Sequence, residues 1–356
     1  MSADSLTSAI KRLAAHESLD GGSISQAFGV IMRGEGTPAQ VAALLMALRV
    51  KGETSEEVAG VVQALRDAMV VLPAERPEEL VDTCGTGGGS IVTFNISTAA
   101  ALLAAGAGLR VAKHGNRSFT SRSGSADVLE ALGVPIDTTA DVMERALANA
   151  GIVFMFAPLM HPALRHVGPI RRELGVPTVM NIVGPLANPA RAGRQVVGVA
   201  EPARLPLLAE ALGRLGTRRA LVVHGEPGLD EISPLGVTRV VEVVGGSGQQ
   251  STVDSLQPTR WITKEWTIDP SEYLRSPIDV ADLAGGSPQD NAEIIEAILA
   301  NRGKPGARAA VVLNAAAALL VGDLASDYRQ AVKLAEEALE GGKGTEALVR
   351  LRESYR

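Results

Sequence analysis

Residues 80–100 read LVDTCGTGGGSIVTFNISTAA, and this stretch decides the fold class. A short strand, Leu80 to Thr83, is followed by a glycine-rich turn from Gly85 to Gly89 and by an alanine-rich helix predicted from Ser97 to Ala107. Glycines tolerate positive φ, and the N–H groups of a turn and of a helix N-terminus can together bind an anion. A tight strand-to-helix turn with an ordinary cap is the alternative. The glycine spacing fits neither a Walker A nor a GxGxxG motif, so neither ATP nor NAD is indicated.

A second polar segment, Lys113 to Ser118 (KHGNRS), leaves another predicted strand, Arg110 to Lys113. Two cations, an imidazole, an amide and nearby hydroxyls are poor material for a hydrophobic core, although a solvated loop is the simpler explanation. In an open parallel sheet, ligands bind beyond the carboxyl ends of the strands, which is where both segments lie. We therefore interpret the glycine turn and this segment as one site for a phosphorylated ribose.

Strands and helices alternate through the following sequence, which favours an α/β fold with a largely parallel central sheet and flanking helices. Further strands are predicted at Ile152 to Phe156, Gln195 to Ala200, Ala220 to His224 and Arg239 to Val244. Further helices are predicted at Ala126 to Leu132, Ala140 to Ala150, Leu205 to Leu215, Asn291 to Leu299, Ala307 to Leu320 and Tyr328 to Leu339.

Residues 1–72 instead predict a small helical bundle. Capping boxes followed by apolar stripes begin two of its helices, and a third helix is predicted before them. The capping boxes are Thr37 with Gln40 and Thr54 with Glu57, and the third helix runs from Ser25 to Met32. Three short helices make a thin core, so we expect the bundle to pack against the rest of the chain or against a second subunit.

Composition limits the class of protein. With 356 residues, 46% hydrophobic and 21% charged, the chain is long enough for one large domain or two ordinary ones. A formal net charge of -6 argues against a general nucleic-acid-binding surface, which is basic. Cys84 is the only cysteine, so a disulfide framework within the chain is impossible and a reducing compartment is expected. No apolar run reaches the roughly 18 residues of a membrane span and no leader is apparent, so we expect a cytoplasmic protein without a membrane partner.

Several segments follow one another in an order and spacing that identify a family. They are Gly34 to Gln40, Lys51 to Thr54, the glycine turn with Thr93 to Thr98, Lys113 to Arg117, Ser123 to Glu130, His161 to Ala163, Asn181 to Pro189, and Asp230 with Glu231. On these residues the chain resembles the anthranilate phosphoribosyltransferases, which transfer phosphoribose from phosphoribosyl pyrophosphate to the amine of anthranilate in tryptophan biosynthesis. The resemblance implies a small helical domain of residues 1–72 joined by about 169–185, a large α/β domain of residues 80–356, and a homodimer through the helical domain.

The resemblance also implies two substrate sites. Phosphoribosyl pyrophosphate would contact Gly85, Gly88, Gly89, Thr93, Asn95, Ile96, Ser97, Thr98, Lys113, His114, Gly115, Asn116, Arg117, Ser118, Phe119, Thr120, Ser121 and Ser125. Anthranilate would contact Gly85, Asn116 and Arg171, with His114 and Pro185 lining its path. A guanidinium suits the carboxylate of anthranilate because it presents a bidentate fork, although Arg171 is otherwise an ordinary helix-surface arginine.

Magnesium is the cofactor that the resemblance implies. Adjacent Asp230 and Glu231, in a turn just past a strand, offer hard oxygen ligands of the kind that Mg²⁺ shares with substrate phosphates, and Ser97 would add its hydroxyl. Acidic pairs in loops are otherwise usually only solvated. A second polar pair, Asp290 with Asn291, is as well explained by a helix cap as by a site.

The implied chemistry requires no protein nucleophile, because the arylamine is neutral at pH 7 and can attack once aligned. His114 either assists proton removal or is held structurally, and Cys84 is interpreted as a buried filler. Two rival interpretations are a pyrimidine nucleoside phosphorylase, which has a similar turn and lysine loop, and a non-enzymatic relative that binds nucleic acid. Asn116 followed by Arg117, together with Arg171, favours anthranilate over the first, and the acidic composition disfavours the second.

One position departs from the family pattern. Where the family's turn most often reads Gly-Thr-Gly-Gly-Asp-Gly, this chain has Gly89 and Ser90. We expect the missing carboxylate to weaken a second magnesium contact and to change the response to high Mg²⁺.

Overall fold

The structure is a computed structural model that describes residues 2–118, 122–246, 260–276 and 278–355. Its first part is a bundle of four helices: α1 (Ser2–Ala14), α2 (Gly21–Met32), α3 (Pro38–Lys51) and α4 (Ser55–Ala68). Both predicted capping boxes are present, at Thr37 with Gln40 and at Thr54 with Glu57. The prediction of three helices was incomplete, because α1 buries Leu6, Ala9 and Leu13 as a fourth member.

The central sheet has seven strands: β1 (Val81–Gly85), β2 (Val111–Gly115), β3 (Ile152–Phe156), β4 (Arg194–Gly198), β5 (Arg219–Gly225), β6 (Thr238–Gly245) and β7 (Trp261–Ile268). Their order is β3-β2-β1-β4-β5-β6-β7. The first five in chain order pair in parallel, and β6 and β7 add an antiparallel edge. The predicted α/β class with a largely parallel sheet is confirmed, and β7 is an additional strand.

Helices cover both faces of this sheet. They are α5 (Ile96–Gly106), α6 (Ser125–Ala131), α7 (Ala140–Ala150), α8 (Ala157–Met160), α9 (Gly168–Leu174), α10 (Met180–Val183), α11 (Leu205–Arg214), α12 (Pro288–Leu299), α13 (Pro305–Val321), α14 (Tyr328–Glu340) and α15 (Lys343–Ser354). One core lies between the sheet and α5, α7, α12, α13, α14 and α15. Within the described parts of the chain, no helix is both long and apolar enough to cross a membrane.

A second core joins the helical bundle to the other face of the sheet. It combines apolar residues of α1 to α4 with those of α9 to α11, and with Val197 of β4 and Val222 of β5. A partly buried ion pair between Arg204 Nη1 and Glu53 Oε2, at 2.7 Å, links the bundle to the α/β part. The bundle therefore packs against the rest of the chain, one of the two arrangements expected from its thin core.

The strand order places a ligand-binding crevice at the carboxyl ends of β1 and β4. From β1 the chain proceeds to β2 and β3 on one side, and then returns to β4 on the other side. Such a reversal opens a crevice between neighbouring strands, where ligands bind in open α/β sheets. The glycine turn follows β1 directly, so the fold puts it at this point.

Candidate functional site

An acidic loop, residues 226–237 between β5 and β6, covers the ends of the two central strands. Gly85 of β1 and Gly198 of β4 are register partners, and Asp230 lies on both of them. A Cβ atom built on Gly198 would lie 1.7 Å from the Asp230 carbonyl oxygen, and one built on Gly85 would lie 2.6 Å from Asp230 Oδ2. A side chain at the end of either strand would displace the acidic loop, which explains why both strands end in glycine.

The glycine turn is hydrogen-bonded to that loop. The Gly87 N–H donates to Asp230 Oδ2 at 2.8 Å, and the Ser90 N–H donates to the Gly228 carbonyl at 2.9 Å. The Ser90 hydroxyl donates to the Pro227 carbonyl at 3.0 Å. Gly87 and Gly88 both have positive φ, at 70° and 87°, which side chains disfavour. The predicted anion-binding turn thus has its conformation set jointly by its glycines and by the acidic loop.

Glu231 reaches the beginning of α5. The Ser97 N–H donates to Glu231 Oε1 at 3.1 Å. Ser97 lies in the first turn of α5, where the helix dipole favours a negative charge. Lys113 Nζ donates to the Thr83 carbonyl at 2.6 Å and to Ser97 Oγ at 3.3 Å. Lysine, serine and the acidic pair, which are far apart in the sequence, therefore form one cluster.

This cluster contains two carboxyl groups and one ammonium group, all of them buried. Burial, followed by the neighbouring Asp230 carboxylate, raises the pKa of Glu231 to about 8, and burial also raises the pKa of Asp230. Burial lowers the pKa of the Lys113 ammonium, against the opposing pull of Asp82. Two adjacent buried carboxylates and a hydroxyl are hard oxygen donors, and they fit a divalent cation that completes its shell with phosphate oxygens. Among the described residues, no group of three or more His, Cys, Asp or Glu side chains forms a self-sufficient metal cage.

The floor of the site is a buried network that the sequence did not reveal. Asp82 Oδ1 accepts the His114 N–H at 3.2 Å, and Asp82 Oδ2 accepts Asn188 Nδ2–H at 2.7 Å. Asn188 Nδ2 also donates to the Ala112 carbonyl at 2.8 Å. Burial raises the pKa of Asp82 to about 6. This network fixes β2 against β1 directly below the basic loop, residues 113–118.

The basic loop is folded onto α6. Arg117 forms ion pairs with Asp127 at 2.7 Å and with Glu130 at 2.6 Å, and the Ser118 N–H donates to Asp127 Oδ2 at 3.3 Å. The Ser125 hydroxyl donates to the Asn116 carbonyl at 3.3 Å. A Cβ atom on Gly115 would lie 2.1 Å from Ser125 Oγ, so this glycine admits the serine. Phe119, Thr120 and Ser121, also predicted to contact substrate, lie outside the described residues.

The segment before α5 joins this loop to α12. Asn95 Nδ2 donates to the Ser123 carbonyl at 3.1 Å, and Asn95 Oδ1 accepts Asn291 Nδ2–H at 2.9 Å. Asp290 instead completes a capping box with Ser287 at the start of α12. The sequence left open whether Asp290 and Asn291 form a helix cap or belong to the site. In the structure Asp290 caps α12, and Asn291 is hydrogen-bonded to Asn95. Thr93 forms a β-bridge to Ala284, whereas the side chains of Ile96 and Thr98 are buried in the core.

The opposite side of the crevice carries two histidines and an arginine. The rings of His114 and His161 lie 5.0 Å apart, and burial holds the pKa of both imidazoles below the usual range, that of His161 at about 4. Both rings are therefore neutral at pH 7. Arg171 of α9 donates to Asn181 Oδ1 at 3.5 Å, and burial lowers its pKa. Cys84 Sγ lies 3.7 Å from the Pro185 carbonyl, and burial keeps its thiol protonated by raising the pKa, which agrees with a filler.

Known proteins share both parts of this architecture. The model of the glycosyl transferase family helical bundle domain matches residues 7–69, and that of the glycosyl transferase family a/b domain matches residues 77–345. An anthranilate phosphoribosyltransferase of Herpetosiphon aurantiacus is 47% identical over 324 residues, 91% of each chain. This chain belongs to the anthranilate phosphoribosyltransferase family.

Other members of the family agree in sequence and in structure. The Thermomicrobium roseum enzyme is 45% identical and covers 97% of this chain and 95% of its own. The crystal structure of the Thermus thermophilus anthranilate phosphoribosyltransferase superposes with a TM-score of 0.88 at 39% identity, over 98% of this chain and 99% of that one. The Saccharomyces cerevisiae enzyme in complex with PRPP and Mg gives a TM-score of 0.84 at 26% identity, over 99% and 98%.

The departure from the family pattern at Gly89 lies against the acidic loop. A Cβ atom on Gly89 would be 3.1 Å from the Gly228 carbonyl oxygen and 3.2 Å from Asp230 Oδ1. The aspartate that the family usually has at this place would therefore direct a further carboxylate toward Asp230. In this chain, the acidic loop faces only backbone at that position.

Proposed function

We propose that this chain transfers the 5-phosphoribosyl group of phosphoribosyl pyrophosphate to the amine of anthranilate, releasing pyrophosphate, in tryptophan biosynthesis. One observation carries the proposal: the acidic loop, the glycine turn, Lys113 and the start of α5 converge at the carboxyl ends of β1 and β4. The Saccharomyces cerevisiae relative has been solved with PRPP and Mg and with 4-fluoroanthranilate, which supports the same ligands here.

The glycine turn and the first turn of α5 are proposed to bind the phosphates. Backbone N–H groups at positive-φ glycines and at a helix N-terminus bind anions well, and Lys113 adds a cation beside Ser97. The basic loop with Asn116 and Ser125 would close over the ribose phosphate. Asp230, Glu231 and the Ser97 hydroxyl would hold magnesium, which supplies Lewis-acid stabilisation of the charge that develops on the leaving pyrophosphate.

The remaining chemistry is positioning. Breaking the bond from ribose C1 to pyrophosphate builds positive charge on the sugar, and the aniline nitrogen attacks that carbon with its lone pair. Arg171 is proposed to pair with the anthranilate carboxylate, and Gly85 and Asn116 would bound the ring. The neutral imidazole of His114 can accept a hydrogen bond from the amine, since its protonated form is disfavoured by burial.

Two aspects of organisation belong to this proposal. We take residues 1–72 with about 169–185 as a small domain and residues 80–356 as a large one, with the substrates in the crevice between them.

We also propose a cytoplasmic homodimer formed through the helical bundle. Sedimentation of the purified protein at several concentrations tests the dimer, and a monomer at all of them contradicts it.

A fluorescence assay tests the activity. Anthranilate is fluorescent, and we expect its signal to fall only when phosphoribosyl pyrophosphate and Mg²⁺ are both present. A matched pair of variants sharpens the assay: Glu231→Gln should abolish the fall, whereas Glu226→Gln in the same loop should not. Phosphorolysis of pyrimidine nucleosides without anthranilate consumption would support the nucleoside phosphorylase alternative. Binding of DNA without either reaction would overturn enzymatic function.

A further inference from the structure

Helix α13 contains a polar side chain in an otherwise apolar stretch. Residues 309–321 read AAVVLNAAAALLV, and Asn314 is the single polar residue among them. Its side chain is only 3% exposed, in the core between the helix and the sheet. A carboxamide that is buried without partners is costly, so Asn314 needs hydrogen bonds outside ordinary helix geometry.

Two of the three hydrogen bonds of the Asn314 side chain go to one residue of the acidic loop, and the third goes to its own helix. Its Oδ1 accepts the Ile232 N–H at 2.9 Å, and its Nδ2 donates to the Ile232 carbonyl at 2.9 Å and to the Ala310 carbonyl at 2.9 Å. A carboxamide can do this because it combines a donor and an acceptor in one plane. Both backbone groups of Ile232 are thereby fixed from a helix that is 82 residues away in the sequence.

Ile232 directly follows the two carboxylates proposed to hold magnesium. On the preceding side, the Gly225 N–H donates to the Leu229 carbonyl at 2.9 Å, and on the following side the Ser233 N–H donates to Thr238 Oγ1 at 2.9 Å. Asp230 and Glu231 therefore lie on a short arch with fixed ends. Two adjacent carboxyl groups can ligate one cation only if the arch holds them at a fixed spacing, and an arch released at Ile232 would lose that spacing.

We propose that Asn314 is a positioning residue that holds the Asp230–Glu231 arch in its cation-binding geometry through the backbone of Ile232. This inference rests on the proposed function, because it takes the two carboxylates as metal ligands. The side-chain hydrogen bonds of Asn314 go to Ile232 and Ala310, neither of which is among the residues proposed to bind substrate or metal. Its role resembles that of hydrogen-bonding partners behind metal ligands, whose loss weakens metal affinity by about 10- to 100-fold.

The test compares Asn314→Leu with Leu319→Ala, a core variant of the same helix that leaves the Ile232 hydrogen bonds intact. Binding of Mn²⁺ in the presence of phosphoribosyl pyrophosphate is measured from the electron paramagnetic resonance signal of free Mn²⁺. Amide hydrogen exchange of the fragment containing Ile232 and thermal unfolding are measured on the same samples. Asn314→Ser, whose vacated space admits a water molecule, replaces Asn314→Leu if that variant does not fold.

We expect the Asn314 variant to bind Mn²⁺ about 10- to 100-fold more weakly and to exchange the Ile232 amide faster, while Leu319→Ala binds Mn²⁺ like the wild type. Unchanged Mn²⁺ affinity in the Asn314 variant, or an equal loss in Leu319→Ala, would overturn the inference. Failure of the wild type to bind Mn²⁺ would instead overturn the proposed metal site, so the two failures are distinguishable.

Discussion

Replacing Gly198 by alanine is expected to inactivate the enzyme although it changes no polar side chain. The added Cβ would lie 1.7 Å from the Asp230 carbonyl oxygen and 2.4 Å from its carbon, whereas ordinary contact begins at 3.4 Å. The acidic loop must therefore withdraw by about 1.7 Å, the difference between the two oxygen distances. Misplacing a catalytic group by about 1 Å can cost about 100-fold in rate. We expect kcat/KM for anthranilate to fall by at least ~100-fold, or ~2.7 kcal/mol of transition-state stabilisation.

The assay is anthranilate consumption over a range of Mg²⁺ concentrations, with circular dichroism to establish that the variant is folded. Gly29→Ala is the matched control, because its Cβ would meet only the flexible end of Arg33 at 3.4 Å. That variant should retain wild-type activity. A folded Gly198→Ala protein with wild-type kcat/KM would show that the acidic loop can move without loss of activity, and would contradict its proposed role in catalysis.

Three further perturbations test other parts of the site. Gly89→Asp places a carboxylate beside Asp230 Oδ1, so its activity should peak at a different Mg²⁺ concentration; an unchanged activity-versus-Mg²⁺ curve contradicts this. Arg171→Met should raise the KM for anthranilate about 10- to 100-fold, the worth of charged hydrogen bonds, with a smaller change in kcat; an unaltered KM would remove Arg171 from the acceptor site. Because burial raises the pKa of Asp82 to about 6, the folded protein keeps a proton that the unfolded chain loses above about pH 4. The unfolding free energy of the wild type should therefore fall, relative to Asp82→Asn, by about 2 kcal/mol between pH 4 and pH 6 in urea titrations, and parallel pH profiles would count against it.

Local signals explain why much of the fold was predictable. The capping boxes at Thr37 and Thr54 determine where α3 and α4 begin, because both partners of each box are near neighbours in sequence. Strands β1 to β6 are mostly buried segments bounded by glycine or polar residues, and each was predicted close to its observed position. By contrast, β7 carries mostly exposed side chains on a sheet edge, so no hydrophobic pattern marks it.

The site was predictable where its chemistry is local. The glycine turn, the basic loop and the acidic pair are recognisable from their composition alone. The structure brings together five of their residues or neighbours, which are Gly87, Ser97, Lys113, Asp230 and Glu231. Supporting residues were missed because their partners are distant in sequence. Gly198 resembles any strand glycine in the sequence, and only the structure shows that Asp230 lies on it. Asn188 lies in the segment from Asn181 to Pro189 that carries the family resemblance, but nothing in the sequence pairs it with Asp82. Asn314 carries no sequence signal beyond being an amide among apolar neighbours.

Phosphoribosyl transfer by this protein is tested most directly by ³¹P nuclear magnetic resonance of the complete reaction mixture. With anthranilate, phosphoribosyl pyrophosphate, Mg²⁺ and the wild-type protein, pyrophosphate should appear in an amount equal to the anthranilate consumed, together with one new phosphomonoester signal. Omitting anthranilate or Mg²⁺ should leave phosphoribosyl pyrophosphate intact. Pyrophosphate release that is independent of anthranilate, or no release at all from a folded protein, would contradict the assignment of this crevice to phosphoribosyl transfer.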